Sequence, residues 1–465
     1  MVQDISAADR APSAVRPQDA GAALIARLES VPFSRWHMRA RIVMGSATFF
    51  DAFDALSLAF VLPILSGLWH LSAVEIGFLI AASYVGQLAG ALLFSHLAEK
   101  FGRIRSAAAA VAIMSVMSLG CAVAGNFAAL FACRLVQGIG VGGEMPVAAA
   151  YISELSRAKG RGRFFLLYEM IFPVGLMMTG QIGALVVPLF GWKIMFLIGG
   201  IPGLAICLLL LRLPESPRWL IGRGRLAEAE RIIGEVEAST PVRLPAEVRP
   251  VPSVAAVPGV PQRGRWRDLI APEYRRRSAI VWVLWASAFL VANSLNNWMP
   301  TLYRTVYGLG LQDALRAASM NNVVQVAVLL ACAFSIDRIG RRNWMVAAFV
   351  AGGALLAALS LAAQSVAIVM VLGTLSYGII GSCNAVLYLY TPEIYPTRMR
   401  AIGTGLATSW LRLASAVGPA LVGFMVAEGG IGSVFALFAG ISAIGALAAS
   451  QMIETRGRQL EEIAA

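Results

Sequence analysis

The sequence predicts an all-α membrane protein of twelve transmembrane helices, arranged as two pseudo-symmetric six-helix bundles. Three observations predict it: a composition shifted toward lipid, a series of apolar runs of membrane-spanning length, and charged loop motifs that recur with one period. Of 465 residues, 58% are hydrophobic and 14% charged, with mean hydropathy +0.72. A soluble domain averages about 45–50% apolar and about 25% charged residues. This balance excludes a disordered chain, a collagen-like fibre and a disulfide scaffold, and it speaks against a soluble multidomain enzyme. A lipid-spanning helix uses about 20 residues, so the length accommodates about a dozen helices and their loops.

Residues 1–41 read as a cytoplasmic N-terminal segment. They carry Arg10, Arg16, Arg27, Arg35, Arg39 and Arg41 but no early apolar core, so no cleavable signal peptide is expected. Residues 20–31 are expected to form a short amphipathic helix on the membrane surface. The first bundle, 42–212, holds spans near 42–66, 74–97, 106–124, 127–151, 164–188 and 192–212. A cytoplasmic linker, 213–278, follows. Its residues 226–238 have helical apolar spacing, and 241–261 carry six prolines and read as flexible. No catalytic domain of useful size fits there. The second bundle, 279–453, holds spans near 279–300, 316–336, 344–362, 365–389, 403–427 and 432–453, and 454–465 form a cytoplasmic tail.

The formal charge is +12, which in a soluble protein would suggest nucleic acid. The position of the charge excludes that partner. Of 38 Lys and Arg residues, 33 fall on one side of the predicted spans and only Lys193, Arg304 and Arg316 on the other. Arg134 and Arg412 lie inside spans. Such asymmetry places both termini and the central loop in the cytoplasm, with the basic loops toward anionic lipid heads. The expected setting is a bacterial-type inner membrane, and the expected state a monomer. Cys121, Cys133, Cys207, Cys332 and Cys383 all lie in apolar runs without a Cys-x-x-Cys pair, so neither disulfide nor metal is expected.

The two halves repeat each other. Glu99-Lys100-Phe101-Gly102-Arg103 follows span 2, and Asp337-Arg338-Ile339-Gly340-Arg341 follows span 8, with the acids 238 residues apart. Glu154 with Arg161 follows span 4, and Glu393 with Arg400 follows span 10, with the glutamates 239 apart. Pro214-Glu215-Ser216-Pro217-Arg218 follows span 6, and Glu454-Thr455-Arg456-Gly457-Arg458 follows span 12. Three motifs with one period imply two halves of one fold. Acids beside cations at helix ends pair readily, so Glu99, Arg103, Glu154, Arg161, Asp337, Arg338, Arg341, Glu393 and Arg400 are candidate members of a cytoplasmic gate. Gly102 and Gly340 permit the tight turns.

On these motifs, from about residue 40 to 463, the chain resembles the major facilitator superfamily. The acidic-basic-x-Gly-Arg loops resemble that superfamily's signature. PESPRWL at 214–220 and ETRGRQLEE at 454–462 resemble its sugar-porter and organic-ion branch. Ser95 and Ala333 stand where the family usually has Gly, and Glu99 where it usually has Asp. FFDAFD on span 1 and QGIGVGGEMPVAAAYISEL on span 4 resemble the metabolite–proton symporters, with niacin transporters looking nearest. The resemblance implies the major facilitator fold and alternating access.

Ionisable groups inside a membrane are costly and usually functional. Asp51 and Asp54, three residues apart, share one face of span 1. Asp54 is about 18 Å from the cytoplasmic end, and Arg134 about 12 Å from the outer end. In a core of about 30 Å these depths coincide, so an Asp54–Arg134 ion pair is expected. Burial and a nearby guanidinium act on a carboxyl in opposite senses, so separating such a pair switches proton uptake and release. Depth favours Asp54 as the carrier and leaves Asp51 as the alternative, with Glu144 and Glu169 as secondary candidates. An acid on helix 1 and an arginine on helix 4 of sugar-porter relatives resemble this pair, which implies a proton as coupling ion.

Arg412 stands about 12 Å from the cytoplasmic end of span 11 without an acid in its own span. A buried guanidinium needs an anionic or carbonyl partner, and a substrate carboxylate is one. Organic-anion members of the superfamily carry a similar arginine on helix 11. Asn293, Asn297, Trp298, Asn321, Asn322, Gln325, Tyr377, Asn384, Tyr388 and Trp410 complete the candidate pocket, since rings stack on flat substrates and amides fix orientation. Gly138-Ile139-Gly140-Val141-Gly142-Gly143 matches a dinucleotide fingerprint, but no strand precedes it. No phosphate loop, catalytic triad or cofactor site is legible. The expected function is proton symport of a small organic anion, an aromatic carboxylate such as nicotinate. Alternatives are sugar–proton symport and a non-transporting sensor of the same fold.

Overall fold

The computed structural model describes residues 17–155, 170–240, 266–396 and 399–456. Its helices, numbered in chain order, are α1 (Pro17–Ser30), α2 (Arg35–Leu68), α3 (Ala73–Phe101), α4 (Arg103–Val123), α5 (Phe127–Leu155), α6 (Ile171–Phe190), α7 (Lys193–Leu210), α8 (Pro217–Gly222), α9 (Leu226–Ala238), α10 (Arg275–Thr305), α11 (Leu311–Ile339), α12 (Arg341–Ala362), α13 (Val366–Glu393) and α14 (Arg400–Ser450). A short 3-10 turn, Trp266–Ile270, precedes α10.

Ten of these helices are long and apolar enough to cross a membrane. The 29-residue α5 is made more polar by Arg134, Gln137 and Glu144. The 51-residue α14 holds two spans, because Gly430 leaves helical geometry at φ 70° and bends the chain there. Together they supply the twelve spans that the sequence predicts. Most helices run past the predicted spans: α2 starts at Arg35, and α3 continues to Phe101. Their ends are polar, and a helix extends beyond lipid as readily as within it. Residues 164–169 of predicted span 5 and the proline-rich stretch 241–261 lie outside the described residues.

The two halves meet at the end away from the basic loops. Gly77 on α3 comes so close to α14 that a Cβ would stand 2.8 Å from the Pro419 carbonyl oxygen. Phe78 packs edge-on against Phe424. Farther in, the Asn297 amide donates to the Tyr84 hydroxyl at 3.1 Å, joining α10 to α3.

Below the membrane helices sits a small helical cluster. The predicted helix 226–238 is α9. Its Ile232, Ile233 and Val236 pack with Leu24, Leu28 and Val31 of the N-terminal segment and Leu220 of α8. The Arg27 guanidinium grips Glu237 through two hydrogen bonds, at 3.0 and 2.8 Å, and Arg218 pairs with Glu29 at 2.8 Å. This corrects the expectation of a surface-lying amphipathic helix. The apolar face of α1 is covered by protein, because α9 offers a matching stripe with acids where α1 has its arginine.

Candidate functional site

The predicted ionisable groups on α2, α5 and α14 are buried. Asp51, Asp54 and Glu144 are fully enclosed, and Arg134 and Arg412 are 2% and 9% exposed. They form two tiers. The tier farther from the basic loops holds Asp54, Arg134 and Gln137. Arg134 Nη1 donates to the Asp54 backbone carbonyl at 3.1 Å and to Gln137 Oε1 at 2.7 Å. Asp54 Oδ1 accepts from the Ser118 hydroxyl at 2.9 Å. The expected Asp54–Arg134 ion pair is therefore not made. The guanidinium holds the helix backbone at Asp54, while its carboxylate turns to α4. Ser118 and Gln137 are members that sequence reasoning missed. Gln137, three residues after Arg134 on one helix face, was readable by spacing; Ser118 was not.

The tier nearer the basic loops holds Asp51, Glu144, Tyr388 and Arg412. Glu144 accepts from the Thr48 hydroxyl at 2.9 Å. Neither oxygen of Asp51 has a hydrogen-bond partner, although both are buried. Asp51 is within Coulombic range of Glu144, Asp54 and Arg412. Arg412 in turn is within range of Asp51 and Tyr388. Its Nη1 donates to the Thr408 carbonyl at 3.2 Å, and its Nε has no partner. The acid that acts on Arg412 stands in the opposite half, on α2, and acts through its field alone, since no salt bridge joins Asp51 and Arg412. Glu169 lies outside the described residues.

The predicted pocket residues divide. Asn322 and Asn296 exchange amide hydrogen bonds at 3.2 Å, and the Tyr377 hydroxyl contacts Asn322 at 3.1 Å and Gln325 at 2.8 Å. Asn321 Oδ1 accepts from Thr374 at 2.7 Å, while its Nδ2 is buried without a partner. This network ties α10, α11 and α13. Asn384 Oδ1 is likewise unpartnered. Asn293 donates to Ser415 at 2.6 Å, and Trp298 Nε1 to the Pro419 carbonyl at 3.0 Å, so both are engaged in seating α10 on α14. Trp298 also lines a cavity of about 730 Å³ at the end away from the basic loops. Trp410 stacks on Trp282 at 6.0 Å and is 36% exposed.

At the loop motifs, each half closes on itself. Arg103 bridges Glu99 and Glu154, both at 2.9 Å. Glu215 accepts from the N–H groups of Arg103, Ile104 and Ser216, the first at 2.9 Å. In the second half, Arg341 reaches Glu393 at 3.5 Å, and Glu454 accepts from the N–H groups of Arg341 and Arg342 at 3.0 and 3.1 Å. Thr455 donates to Glu393 at 2.6 Å, and Arg456 donates to the Arg338 carbonyl. Gly102 and Gly340 sit at φ 106° and 93°, and a Cβ at either would collide with the capping carboxylate. Arg161 and the side chains of Asp337 and Arg400 lie outside the description.

Burial pushes the Glu215 carboxyl up from its ordinary range, and the three N–H groups pull it back down. Losing such an acceptor strands partly buried donors at about 1–3 kcal/mol. Glu215→Ala is accordingly expected to lower the unfolding temperature of the purified protein by several degrees. An unchanged melting curve would show that the cap adds no stability.

The sugar (and other) transporter family matches residues 33–465. The niacin transporter NiaP of Acinetobacter baylyi is 32% identical over 445 residues, covering 95% of this chain and 99% of the relative. The 4-hydroxybenzoate transporter PcaK of the same species is 27% identical, covering 81% and 82%. The xylose transporter XylE from E. coli, in a partially occluded inward open conformation, superimposes with a TM-score of 0.72 at 20% identity, covering 92% of this chain and all of that one.

Proposed function

Since the chain belongs to the sugar (and other) transporter family of the major facilitator superfamily, we propose that it is a symporter that carries a small organic anion together with a proton. The protein is a multi-pass membrane transporter and not an enzyme. An aromatic carboxylate such as nicotinate is the substrate, and the bacterial inner membrane is the setting, with both termini cytoplasmic. The chain divides into an N-terminal segment 1–41, bundles 42–212 and 279–453, a linker 213–278 and a tail 454–465. It acts as a monomer.

The observation that carries this reading is Arg412. A buried guanidinium with an idle Nε, in the field of a carboxylate that has no hydrogen bonds, is a cation with a donor left for a second anion. A neutral sugar would bring no anion to that guanidinium. NiaP and PcaK, whose names give them niacin and 4-hydroxybenzoate, support an aromatic acid. Coupling follows from sharing. Without substrate, Asp51 and Arg412 balance each other. A substrate carboxylate that claims Arg412 takes away the counter-charge of Asp51, and a proton replaces it. Anion and proton then load together, and the halves rock with a neutralised site. This mechanism favours Asp51 as proton carrier over Asp54, whose carboxylate already has Ser118. Glu144 adds negative potential beside it, and Arg134 positions α2.

The amide network around Tyr377 is the wall against which an aromatic ring rests, with Asn321 and Asn384 offering free polar atoms. The paired motifs around Glu99, Arg103 and Glu154, and around Arg341 and Glu393, keep each half rigid as the gate opens and closes. Counterflow of labelled nicotinate in proteoliposomes tests the proposal. Exchange that competes with benzoate-like acids and not with xylose or glucose is expected. Binding without exchange would make the protein a sensor, and competition by sugars alone would overturn the anion assignment.

A further inference from the structure

A cavity of about 330 Å³ lies where the first turns of α2, the end of α7 and the outer face of α9 meet. Trp36 and Arg39 line it from α2, Arg212 and Leu213 from beyond α7, and Arg231 and Glu235 from α9. Arg231 and Glu235 pair at 2.5 Å across one helical turn. Neither the Arg39 nor the Arg212 guanidinium has a partner among the described residues. The lining therefore carries three cations and one anion, and two of the cations are unanswered. None of these residues belongs to the candidate transport site around Asp51 and Arg412.

We propose that this cavity is a binding site for the phosphate headgroup of an anionic lipid. Guanidinium groups present planar forks that match phosphate oxygens. Basic pockets at the foot of membrane helices select anionic headgroups in this way. The place commits the ligand to lipid and not to a soluble phosphate. Arg39 precedes the apolar stretch of α2, and Arg212 directly follows that of α7, so both stand where hydrocarbon gives way to water. Trp36 is the side chain typical of that boundary. Phe33, three residues before Trp36, and Leu211, next to Arg212, are 47% and 56% exposed, and Leu208, one turn before Leu211, is 64% exposed. An acyl chain descending from a headgroup at Arg39 and Arg212 would cover them. The site also spans α2, which carries Asp51, and α9, which clamps the N-terminal helix, so the lipid would tie the membrane helices to the cluster beneath.

The test uses the full-length protein and native mass spectrometry after delipidation. Phosphatidylglycerol, phosphatidylcholine and glycerol phosphate are added back separately to the wild type, to R39Q/R212Q and to R105Q/R276Q. The last removes two exposed arginines elsewhere. The expected result is one phosphatidylglycerol retained by the wild type about tenfold more tightly than phosphatidylcholine, a preference lost in R39Q/R212Q and kept in R105Q/R276Q. Melting of lipid-free R39Q/R212Q at the wild-type temperature verifies its fold. Equal retention by R39Q/R212Q, an equal loss in R105Q/R276Q, or glycerol phosphate binding as tightly as the lipid would each overturn the proposal.

Discussion

Arg412→Ala is expected to erase the distinction between nicotinate and its neutral amide. Truncating one partner of a buried charge pair costs about 2–5 kcal/mol, which corresponds to a loss of roughly 30-fold to several-thousand-fold in nicotinate affinity. Nicotinamide makes no such pair and should bind the variant about as weakly as it binds the wild type. Arg412 is 9% exposed, and its contacts are one carbonyl at Thr408 and the fields of Asp51 and Tyr388, so the loss falls on the site and not on helix packing. Isothermal titration of both ligands reads the result. If the variant keeps the wild-type ratio between acid and amide, Arg412 is not the anion site. Arg412→Lys sharpens the test: charge survives, the planar fork does not, and partial recovery of nicotinate binding is expected.

Asp51→Asn is expected to uncouple transport from the proton gradient while leaving exchange. An amide at 51 cannot gain or lose a proton, so an imposed pH gradient should no longer drive uphill nicotinate uptake. Counterflow, which needs only substrate on both faces, should persist within about tenfold of the wild type. The pH dependence of binding should flatten as well. Asp54→Asn serves as the comparison. Its Oδ1 holds the Ser118 hydroxyl at 2.9 Å, a contact an amide can keep, so accumulation should be reduced but not abolished. The reverse pattern, with uphill uptake intact in Asp51→Asn and absent in Asp54→Asn, would move the proton to Asp54 and refute the sharing mechanism.

The fold is largely legible in the sequence, because hydropathy and charge placement act over whole helices. Twelve spans emerge from apolar runs, and α9 matches its predicted range because its amphipathic spacing is local. The burial of Asp51, Asp54, Arg134 and Arg412 is legible too, since charge inside an apolar run has nowhere else to be. Their pairing is not. Depth arithmetic matched Asp54 with Arg134, but depth says nothing about rotation around the helix axis. Asp51 and Asp54 share a face of α2, yet three residues of rise, about 4.5 Å, set them in different tiers. The partnership of Asp51 with Arg412 joins residues 361 positions apart in opposite halves, beyond the reach of any local pattern. The docking of α1 is hidden for the same reason: its apolar stripe is visible in the sequence, but what covers it is a tertiary fact.

The carboxylate caps have a practical corollary for protein engineering. Glu215 fastens the segment after α7 to the start of α4, and Glu454 fastens the segment after α14 to the start of α12. Each six-helix unit carries its own buckle at its trailing edge. A chimera with a relative should therefore be spliced between residues 240 and 266, where both buckles travel with the unit they close. A recombinant cut just before Glu454 would leave the second unit unfastened even though every spanning helix is present.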